Sequence, residues 1–293
     1  MNKIKKLAMR LAPVWVVVLL VACSVKVQSG VNGNIADVKQ VDTIEVKSAK
    51  MSKMIKNVVV LPAQYFDADL QNEQYPVVYL LHGYSDDYSS WLKIKPELDD
   101  IASDYGIIFV CPDGATSWYF DSPVNPDVQY ETYVANELVD YIDNNYRTYP
   151  EAKMRAITGL SMGGHGAMWL GLRHPDVFGS CGSTSGGVDF RPFPQKWKIK
   201  DDLGDYATHK DVWESHTVLS LVPKINKEAR QRIIFDCGTK DFFFEVNNNL
   251  HEALLKAGVE HDYIVRPGSH NWDYWNNSID YQILFFVKSF GAN

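Results

Sequence analysis

Few cysteines, no excess of positive charge and no spacing typical of a metal site limit what this chain can be. Of its 293 residues 4 are cysteine, and 29 Lys and Arg stand against 36 Asp and Glu, for a formal net charge of −7. With no basic cluster beyond the first ten residues, the chain is not expected to bind nucleic acid. The cysteines and histidines have no zinc-site spacing, so no metal is predicted. No internal repeat or low-complexity stretch is present, which disfavours a repeat architecture.

The first 22 residues are typical of a signal peptide. Lys3, Lys5, Lys6 and Arg10 precede an almost wholly apolar run over residues 11–22. This run is too short to span a bilayer, which needs about 20 apolar residues. It ends in Leu20-Val21-Ala22-Cys23, which resembles a bacterial lipobox. We predict a lipoprotein signal peptide over residues 1–22 and a lipidated Cys23 with a Ser- and Gly-containing tether over residues 23–37. A chance cysteine beside an ordinary cleavage site is the alternative.

Lipidation of Cys23 would determine where the protein works. Its acyl chains would anchor the mature protein to a membrane, facing an extracytoplasmic space. The predicted location is therefore the bacterial cell envelope, at the periplasmic face or the outer membrane. The other cysteines, Cys111, Cys181 and Cys237, end predicted apolar strands, where a cysteine behaves as a small buried hydrophobe. No structural disulfide is expected, although adjacent strands could bring Cys181 near Cys237.

Residues 38–293 are predicted to form one α/β domain. Apolar strand-like runs alternate with helical stretches near 131–146, 164–173 and 246–257. Strands are predicted near residues 43–46, 56–61, 77–81, 107–111, 154–158, 178–183, 232–236 and 262–265. Near-continuous apolar strands joined by helices indicate a mostly parallel sheet covered on both faces. The pattern breaks at about residues 185–229, where an insertion or lid over the strand ends is expected.

Residues 159–163 read Gly-Leu-Ser-Met-Gly and follow one of these strands. A sharp turn from strand to helix exposes a serine hydroxyl for attack, and the two glycines fit because such a turn leaves no room for side chains. Ser161 is therefore the candidate nucleophile. The backbone N–H groups of Met162 and of Tyr84, in the His-Gly-Tyr turn after the 77–81 strand, are the candidate oxyanion donors.

A candidate acid and a candidate base follow later strands. Asp241 lies in the loop after the 232–236 strand, and His270 lies after the 262–265 strand. With Ser161 they give the chain order Ser, Asp, His, which is typical of α/β-hydrolases. Asp236 is the rival to Asp241, but a residue still inside the strand is expected to point into the packing layers rather than toward the site.

Six further side chains are candidates for the lining of a substrate pocket. For the aromatic ones core packing is at least as good an explanation, whereas one histidine is expected to support the turn after the 77–81 strand and the other, one helical turn past Ser161, to line or support the pocket. The six are His82, Trp118, Tyr119, His165, Trp213 and Trp272.

The chain resembles the esterase D group of α/β-hydrolases, which includes carbohydrate esterase family 1 (feruloyl and acetyl-xylan esterases), tributyrin-type esterases and S-formylglutathione hydrolases. The similar segments are residues 79–84, 159–164, 237–241 and 270–272. This resemblance implies an α/β-hydrolase fold and ester hydrolysis with no cofactor. The predicted signal peptide departs from the cytosolic S-formylglutathione hydrolases.

The predicted function is a serine carboxylesterase that removes acetyl or feruloyl-type groups from polysaccharides or oligosaccharides, so that an acylated carbohydrate is the expected partner. An acyltransferase similar to the mycolyltransferases and a short-chain esterase of small-molecule esters are the alternatives. A non-catalytic sugar-binding relative is a further possibility, which the intact Ser161, Asp241 and His270 disfavour.

Overall fold

The computed structural model describes residues 39–291, so the predicted signal peptide, Cys23 and the tether lie outside the described residues. An eight-stranded sheet forms the centre of the domain, with strand order β1-β2-β4-β3-β5-β6-β7-β8. The strands are β1 (Val41–Ser48), β2 (Lys53–Val60), β3 (Val77–Leu81), β4 (Ile108–Pro112), β5 (Arg155–Gly159), β6 (Ser180–Thr184), β7 (Arg232–Gly238) and β8 (Asp262–Arg266). The pairs β1/β2 and β2/β4 are antiparallel, and the other neighbours are parallel.

Helices connect these strands. They are α1 (Ser90–Ile94), α2 (Leu98–Tyr105), α3 (Tyr130–Thr132), α4 (Val139–Asn145), α5 (Met162–Arg173), α6 (Ile199–Leu203), α7 (Lys210–Ser215), α8 (Phe244–Ala257) and α9 (Trp272–Ser289). A π-helical segment, Tyr133–Leu138, joins α3 to α4. Short 3₁₀ helices lie at Ala63–Phe66, Ala68–Leu70, Ala152–Met154, Val218–Lys224 and Lys227–Ala229.

Each face of the sheet is covered by a separate apolar core. Along β3, Tyr79 belongs to the core that includes residues of α5 and α8, while Leu80 belongs to the core that includes residues of α1, α2 and α9. All five residues of β3 are buried. Successive side chains of a strand point to opposite faces, so burial on both sides favours an apolar run such as that of β3. The predicted α/β-hydrolase fold with a mostly parallel sheet is confirmed.

All eight strands were predicted from the sequence, but α9, the longest helix of the described residues, was not. Of its residues only Trp272 was named, as a candidate pocket residue. The Asn271 side chain caps the helix by accepting the Tyr274 backbone N–H at 3.0 Å. Ile279, Ile283 and Phe286, at a spacing of four and three residues, are buried on one side. The cap and this spacing are the signals that could have identified α9.

Cys111, Cys181 and Cys237 are buried and free. Cys181 pairs with Ile233 in the β6/β7 register, so Cys237 lies four residues further along the neighbouring strand. Burial raises the pKa of all three thiols, that of Cys181 to about 12. Thiols held in their protonated form are poor nucleophiles, so none of these groups competes with Ser161. Within residues 39–291, no helix has the length and apolar character required to cross a membrane.

Candidate active site

Ser161 lies at a sharp turn between β5 and α5. Its backbone has φ 55° and ψ −113°, a conformation that a residue with a side chain rarely adopts. The turn is packed closely enough to require glycine on either side, since a Cβ on Gly159 would lie 2.6 Å from the carbonyl oxygens of Gly163 and Leu81. The Ser161 N–H donates to the Thr184 carbonyl oxygen at 3.0 Å, which ties the turn to β6. The hydroxyl is therefore presented at the carboxyl end of the sheet.

The structure brings Asp241 and His270 together at this serine. Asp241 follows β7 and His270 follows β8, so parallel pairing places both loops at the same edge of the sheet as Ser161. His270 Nε2 lies 2.9 Å from Ser161 Oγ, and His270 Nδ1 lies 2.9 Å from Asp241 Oδ2. The Asp241 side chain is fully buried, and its other oxygen accepts the Phe243 N–H at 2.8 Å. This arrangement can transfer a proton from the serine to the imidazole.

Asp236, the rival acid, lies inside β7 and has no contact with His270. Its carboxylate accepts hydrogen bonds from the Thr184 and Ser278 hydroxyls at 2.9 and 2.5 Å, and from the Gln282 amide at 2.6 Å. Burial raises its pKa although these hydrogen bonds act in the opposite direction. Asp236 therefore links β6, β7 and α9 beneath the site, whereas Asp241 alone of the two reaches the histidine.

The turn after β3 lies directly beside the serine. A Cβ on Gly83 would come within 3.6 Å of Ser161 Cβ. Neither the Tyr84 nor the Met162 backbone N–H donates a hydrogen bond to any residue in 39–291, and Met162 is the first residue of α5, where an N–H has no partner within the helix. Both donors are free to bind an oxygen held against Ser161, as an oxyanion hole requires.

His82 and Tyr119 support this turn from below. The Gly114 N–H donates to His82 Nε2 at 2.8 Å, so the proton of the neutral ring is on Nδ1 and is donated to the Gly83 carbonyl oxygen at 2.8 Å. The Tyr119 hydroxyl accepts the His82 backbone N–H at 3.1 Å and donates to the His82 carbonyl oxygen at 3.3 Å. Both side chains thus hold the backbone that carries the Tyr84 N–H.

Five of the six tentative pocket residues are buried, which corrects the suggestion that they line the substrate site. His82, Trp118, Tyr119, His165 and Trp213 are at most 1 % exposed. Their rings pack against one another or hold the backbone, as Trp213 does by donating to the Gly204 carbonyl oxygen at 2.9 Å. Large aromatic side chains gain most by burial, which sequence alone cannot distinguish from ligand contact. Only Trp272 is open to solvent, 47 % exposed and two residues after His270.

Four aromatic residues that were not predicted as site residues contact the site or its surroundings. Phe242 is 50 % exposed, and its ring centroid lies 4.3 Å from that of His270. Trp197 stacks against Phe242 at 6.1 Å, and Phe193 packs against Phe243 at 5.4 Å. Trp197 and Phe193 belong to the 185–229 segment, where an insertion was predicted. Phe242 directly follows Asp241, and that adjacency was the available signal.

A depression of about 470 Å³ opens beside the imidazole. It is lined by His270, Asn271, Trp272, Asp273 and Trp275. The Trp275 ring meets that of His270 edge-on at 4.9 Å. Within residues 39–291 no group of three or more His, Cys, Asp or Glu side chains is arranged to hold a metal ion.

His165, one turn beyond Ser161 in α5, should make stability depend on pH. Its Nδ1 and Nε2 lie 3.0 and 2.9 Å from the carbonyl oxygens of Trp118 and His216, and burial lowers its pKa from 6.5 to about 4. Between pH 6.5 and 4 the unfolded chain binds this proton and the folded chain does not, so stability falls as the pH falls through this window, by about 3 kcal/mol. Urea unfolding of wild type and His165→Gln at pH 7 and pH 4.5 measures the effect.

The control for this prediction is His209→Gln, which changes a partly exposed histidine. We expect the stability loss between the two pH values to shrink in His165→Gln and to stay at its wild-type size in His209→Gln. An equal pH-dependent loss in all three proteins would show that His165 does not contribute.

Comparison with known proteins places this geometry among ester-cleaving enzymes. Residues 48–286 match the family model described as "Putative esterase". The acetyl esterase of Caldicellulosiruptor saccharolyticus is 26 % identical over 247 residues, covering 78 % of this chain and 92 % of that protein. The diacylglycerol acyltransferase/mycolyltransferase Ag85A of Mycobacterium leprae is 28 % identical over 242 residues, covering 70 % and 72 %. A solved ferulic acid esterase superposes with a TM-score of 0.73 at 26 % identity, covering 85 % of this chain and 98 % of that one.

Proposed function

Because the chain belongs to this esterase family and is a carboxylic ester hydrolase, we propose that it removes acetyl or feruloyl-type acyl groups from polysaccharides or oligosaccharides. The observation that carries the proposal is the hydrogen-bonded series Ser161, His270 and Asp241, with both contacts to the imidazole at 2.9 Å. An acetyl esterase and a ferulic acid esterase among its relatives support the two acyl groups.

The reaction begins with transfer of the Ser161 proton to His270 Nε2 as the serine oxygen attacks the ester carbonyl. Asp241 holds the imidazole in place through Nδ1 and stabilises the imidazolium that forms. The carbonyl oxygen gains negative charge and is bound by the N–H groups of Tyr84 and Met162, each worth about 3 kcal/mol of barrier lowering.

Collapse of the tetrahedral intermediate breaks the bond to the alcohol. His270 gives its proton to the departing alkoxide, which leaves an acyl group on Ser161. Water then enters, His270 removes its proton, and the same steps in reverse order release the carboxylic acid and the free serine. No group beyond the protein and water is needed for this cycle.

The surroundings of the imidazole suit a sugar or an aromatic acyl group. Phe242 and Trp272 are both about half exposed, on the loop and helix that adjoin His270. Exposed aromatic faces bind flat apolar surfaces such as a phenolic ring or the C–H face of a sugar. Asp273, also exposed, offers a carboxylate that can accept hydrogen bonds from sugar hydroxyls.

Initial rates on p-nitrophenyl acetate, methyl ferulate and acetylated xylan, each with wild type and Ser161→Ala, test the proposal. We expect wild type to release acetate from acetylated xylan or methanol from methyl ferulate, and Ser161→Ala to release neither. Turnover of p-nitrophenyl acetate without either of the other two would contradict a carbohydrate-linked substrate and favour a short-chain esterase of small-molecule esters. No turnover above Ser161→Ala on any substrate would contradict ester hydrolysis.

Acyl transfer to an alcohol is the second candidate, because a mycolyltransferase is among the relatives. In that reaction a sugar hydroxyl replaces water in the deacylation of Ser161. The two are separated by adding trehalose or xylotetraose during hydrolysis of p-nitrophenyl butyrate and measuring acylated sugar against free butyrate. Butyrate as the dominant product at 100 mM sugar supports the esterase, and acylated sugar as the dominant product supports the transferase.

We also propose that Cys23 carries lipid and anchors the enzyme in the cell envelope. The support is the Leu20-Val21-Ala22-Cys23 sequence after a short apolar run. In a bacterial host, Cys23→Ser should move the enzyme from the membrane fraction to the soluble fraction, because the acyl chains supply the membrane affinity. A Cys111→Ser variant is the control for loss of a cysteine as such. Retention of Cys23→Ser in the membrane fraction would contradict the anchor.

A further inference from the structure

A cavity of about 820 Å³ lies at the end of the sheet opposite to Ser161. It is formed where β7 and β8 begin, with Arg232 and Asp262 among its lining residues. Asp241 and His270 follow the other ends of the same strands. Seven residues of β7 at about 3.3 Å each separate the two regions by about 20 Å. The cavity is therefore distinct from the site of ester cleavage.

Two arginines that line this cavity have no side-chain hydrogen-bond acceptor among residues 39–291. Of the seven arginines in residues 39–291, five donate side-chain hydrogen bonds: Arg147, Arg155, Arg173, Arg191 and Arg266. Arg230 and Arg232 donate none within the described residues, and both line the cavity. The one side-chain contact found for these two guanidinium groups is that of Arg232, 5.3 Å above the Phe285 ring. A guanidinium presents five donors in a fork that matches a carboxylate, so this pair is suited to an oxyanion.

The other residues that line the cavity indicate a ligand larger than a simple inorganic anion. Glu260 and Asp262 also line the cavity, although neither lies within ion-pair distance of Arg230 or Arg232 among residues 39–291. Their carboxylates oppose a highly charged anion but accept hydrogen bonds from hydroxyl groups. Ile225 and Val259 add apolar surface. A ligand with one carboxylate, several hydroxyls and an apolar face satisfies all three kinds of lining.

We propose that this cavity binds a carboxylate-bearing sugar, with Arg230 and Arg232 holding the carboxylate and Glu260 and Asp262 accepting hydroxyl groups. The binding does not require ester cleavage at Ser161. Its consequence is that an acidic polysaccharide is held by the face of the protein opposite to the active site, in addition to any contact at Ser161.

Calorimetric titration of the purified protein with aldotetraouronic acid, a xylotriose that carries one methylglucuronate, tests the proposal. Xylotetraose is the neutral control ligand and inorganic phosphate is the anion control. We expect saturable binding of the acidic sugar, at least tenfold weaker binding of xylotetraose and of phosphate, and weaker binding at higher salt. The double variant Arg230→Gln/Arg232→Gln should lower the affinity for the acidic sugar by about tenfold or more.

The matched control is Lys50→Gln/Lys153→Gln, which removes the same charge from exposed positions outside the cavity. Because Arg230 is exposed and its side chain holds no other residue, Arg230→Gln alone serves if the double variant loses its native circular dichroism. All these variants should hydrolyse p-nitrophenyl acetate within about twofold of wild type, and that rate reports on the active site independently.

Several results would overturn the proposal. These are no saturable heat up to 20 mM acidic sugar, an affinity unchanged by the arginine substitutions, or an equal loss in the lysine control. Phosphate binding as tightly as the acidic sugar would show a general anion site, and xylotetraose binding as tightly would show that the carboxylate is not recognised.

Discussion

Ser161→Ala is expected to lower kcat for p-nitrophenyl acetate by about 10⁴-fold or more, the largest effect of any single substitution. The hydroxyl at 2.9 Å from His270 Nε2 is the group that forms the acyl-enzyme, and no other nucleophile lies in this position among residues 39–291. Initial rates at saturating substrate measure the loss. A fluorophosphonate probe should label the wild type and leave Ser161→Ala unlabelled, because the probe reacts with the same activated oxygen.

The control is Ser215→Ala, which removes an exposed hydroxyl from α7. We expect this variant to keep its wild-type rate and its labelling. Undiminished turnover or labelling in Ser161→Ala would place the nucleophile elsewhere. Unfolding of Ser161→Ala is not expected, since its backbone strain is retained and only one oxygen is removed, and thermal unfolding checks this.

Asp241→Asn is expected to lower kcat by about 10³- to 10⁴-fold while KM changes little. The amide keeps the size of the carboxylate, but it can present its N–H₂ group to His270 Nδ1, which selects the tautomer that cannot accept the serine proton. It also removes the charge that stabilises the imidazolium. Steady-state rates on p-nitrophenyl acetate give kcat and KM separately. A general destabilisation of the fold would not lower kcat alone at a temperature well below Tm.

Asp236→Asn is the matched comparison, because it makes the same chemical change in the rival acid, which precedes Asp241 in the chain. The carboxylate of Asp236 accepts from Ser278 and Gln282, so the amide replaces acceptor oxygens with donors in a buried network. We expect this variant to lose stability by about 1–3 kcal/mol and to keep kcat within about tenfold. A larger loss of kcat in Asp236→Asn than in Asp241→Asn would reverse the assignment of the acid.

The strands and the three residues that meet at the candidate site can be identified from the amino-acid sequence alone. β3 is an uninterrupted apolar run, a pattern that burial on both faces of a sheet favours. Ser161 could be identified because a turn with so little space admits only glycine at Gly159 and Gly163. Asp241 and His270 follow parallel strands, and parallel strands bring their carboxyl ends to one edge. Local steric constraints and hydrophobic burial act on residues close together in the chain, so their effects appear as patterns in the sequence.

The roles of the aromatic residues, in contrast, depend on contacts that appear only in the folded protein. Aromatic side chains are common in binding sites, but those of Trp118, Tyr119 and Trp213 are buried. Phe242 and Trp272, in contrast, are exposed beside His270. An aromatic ring is stabilised both by burial in a core and by contact with a ligand. The residue type therefore does not show which of the two surrounds it. Contacts between residues far apart in the chain decide that. The same holds for Arg230 and Arg232, because their lack of acceptors within residues 39–291 depends on where residues distant in the chain lie.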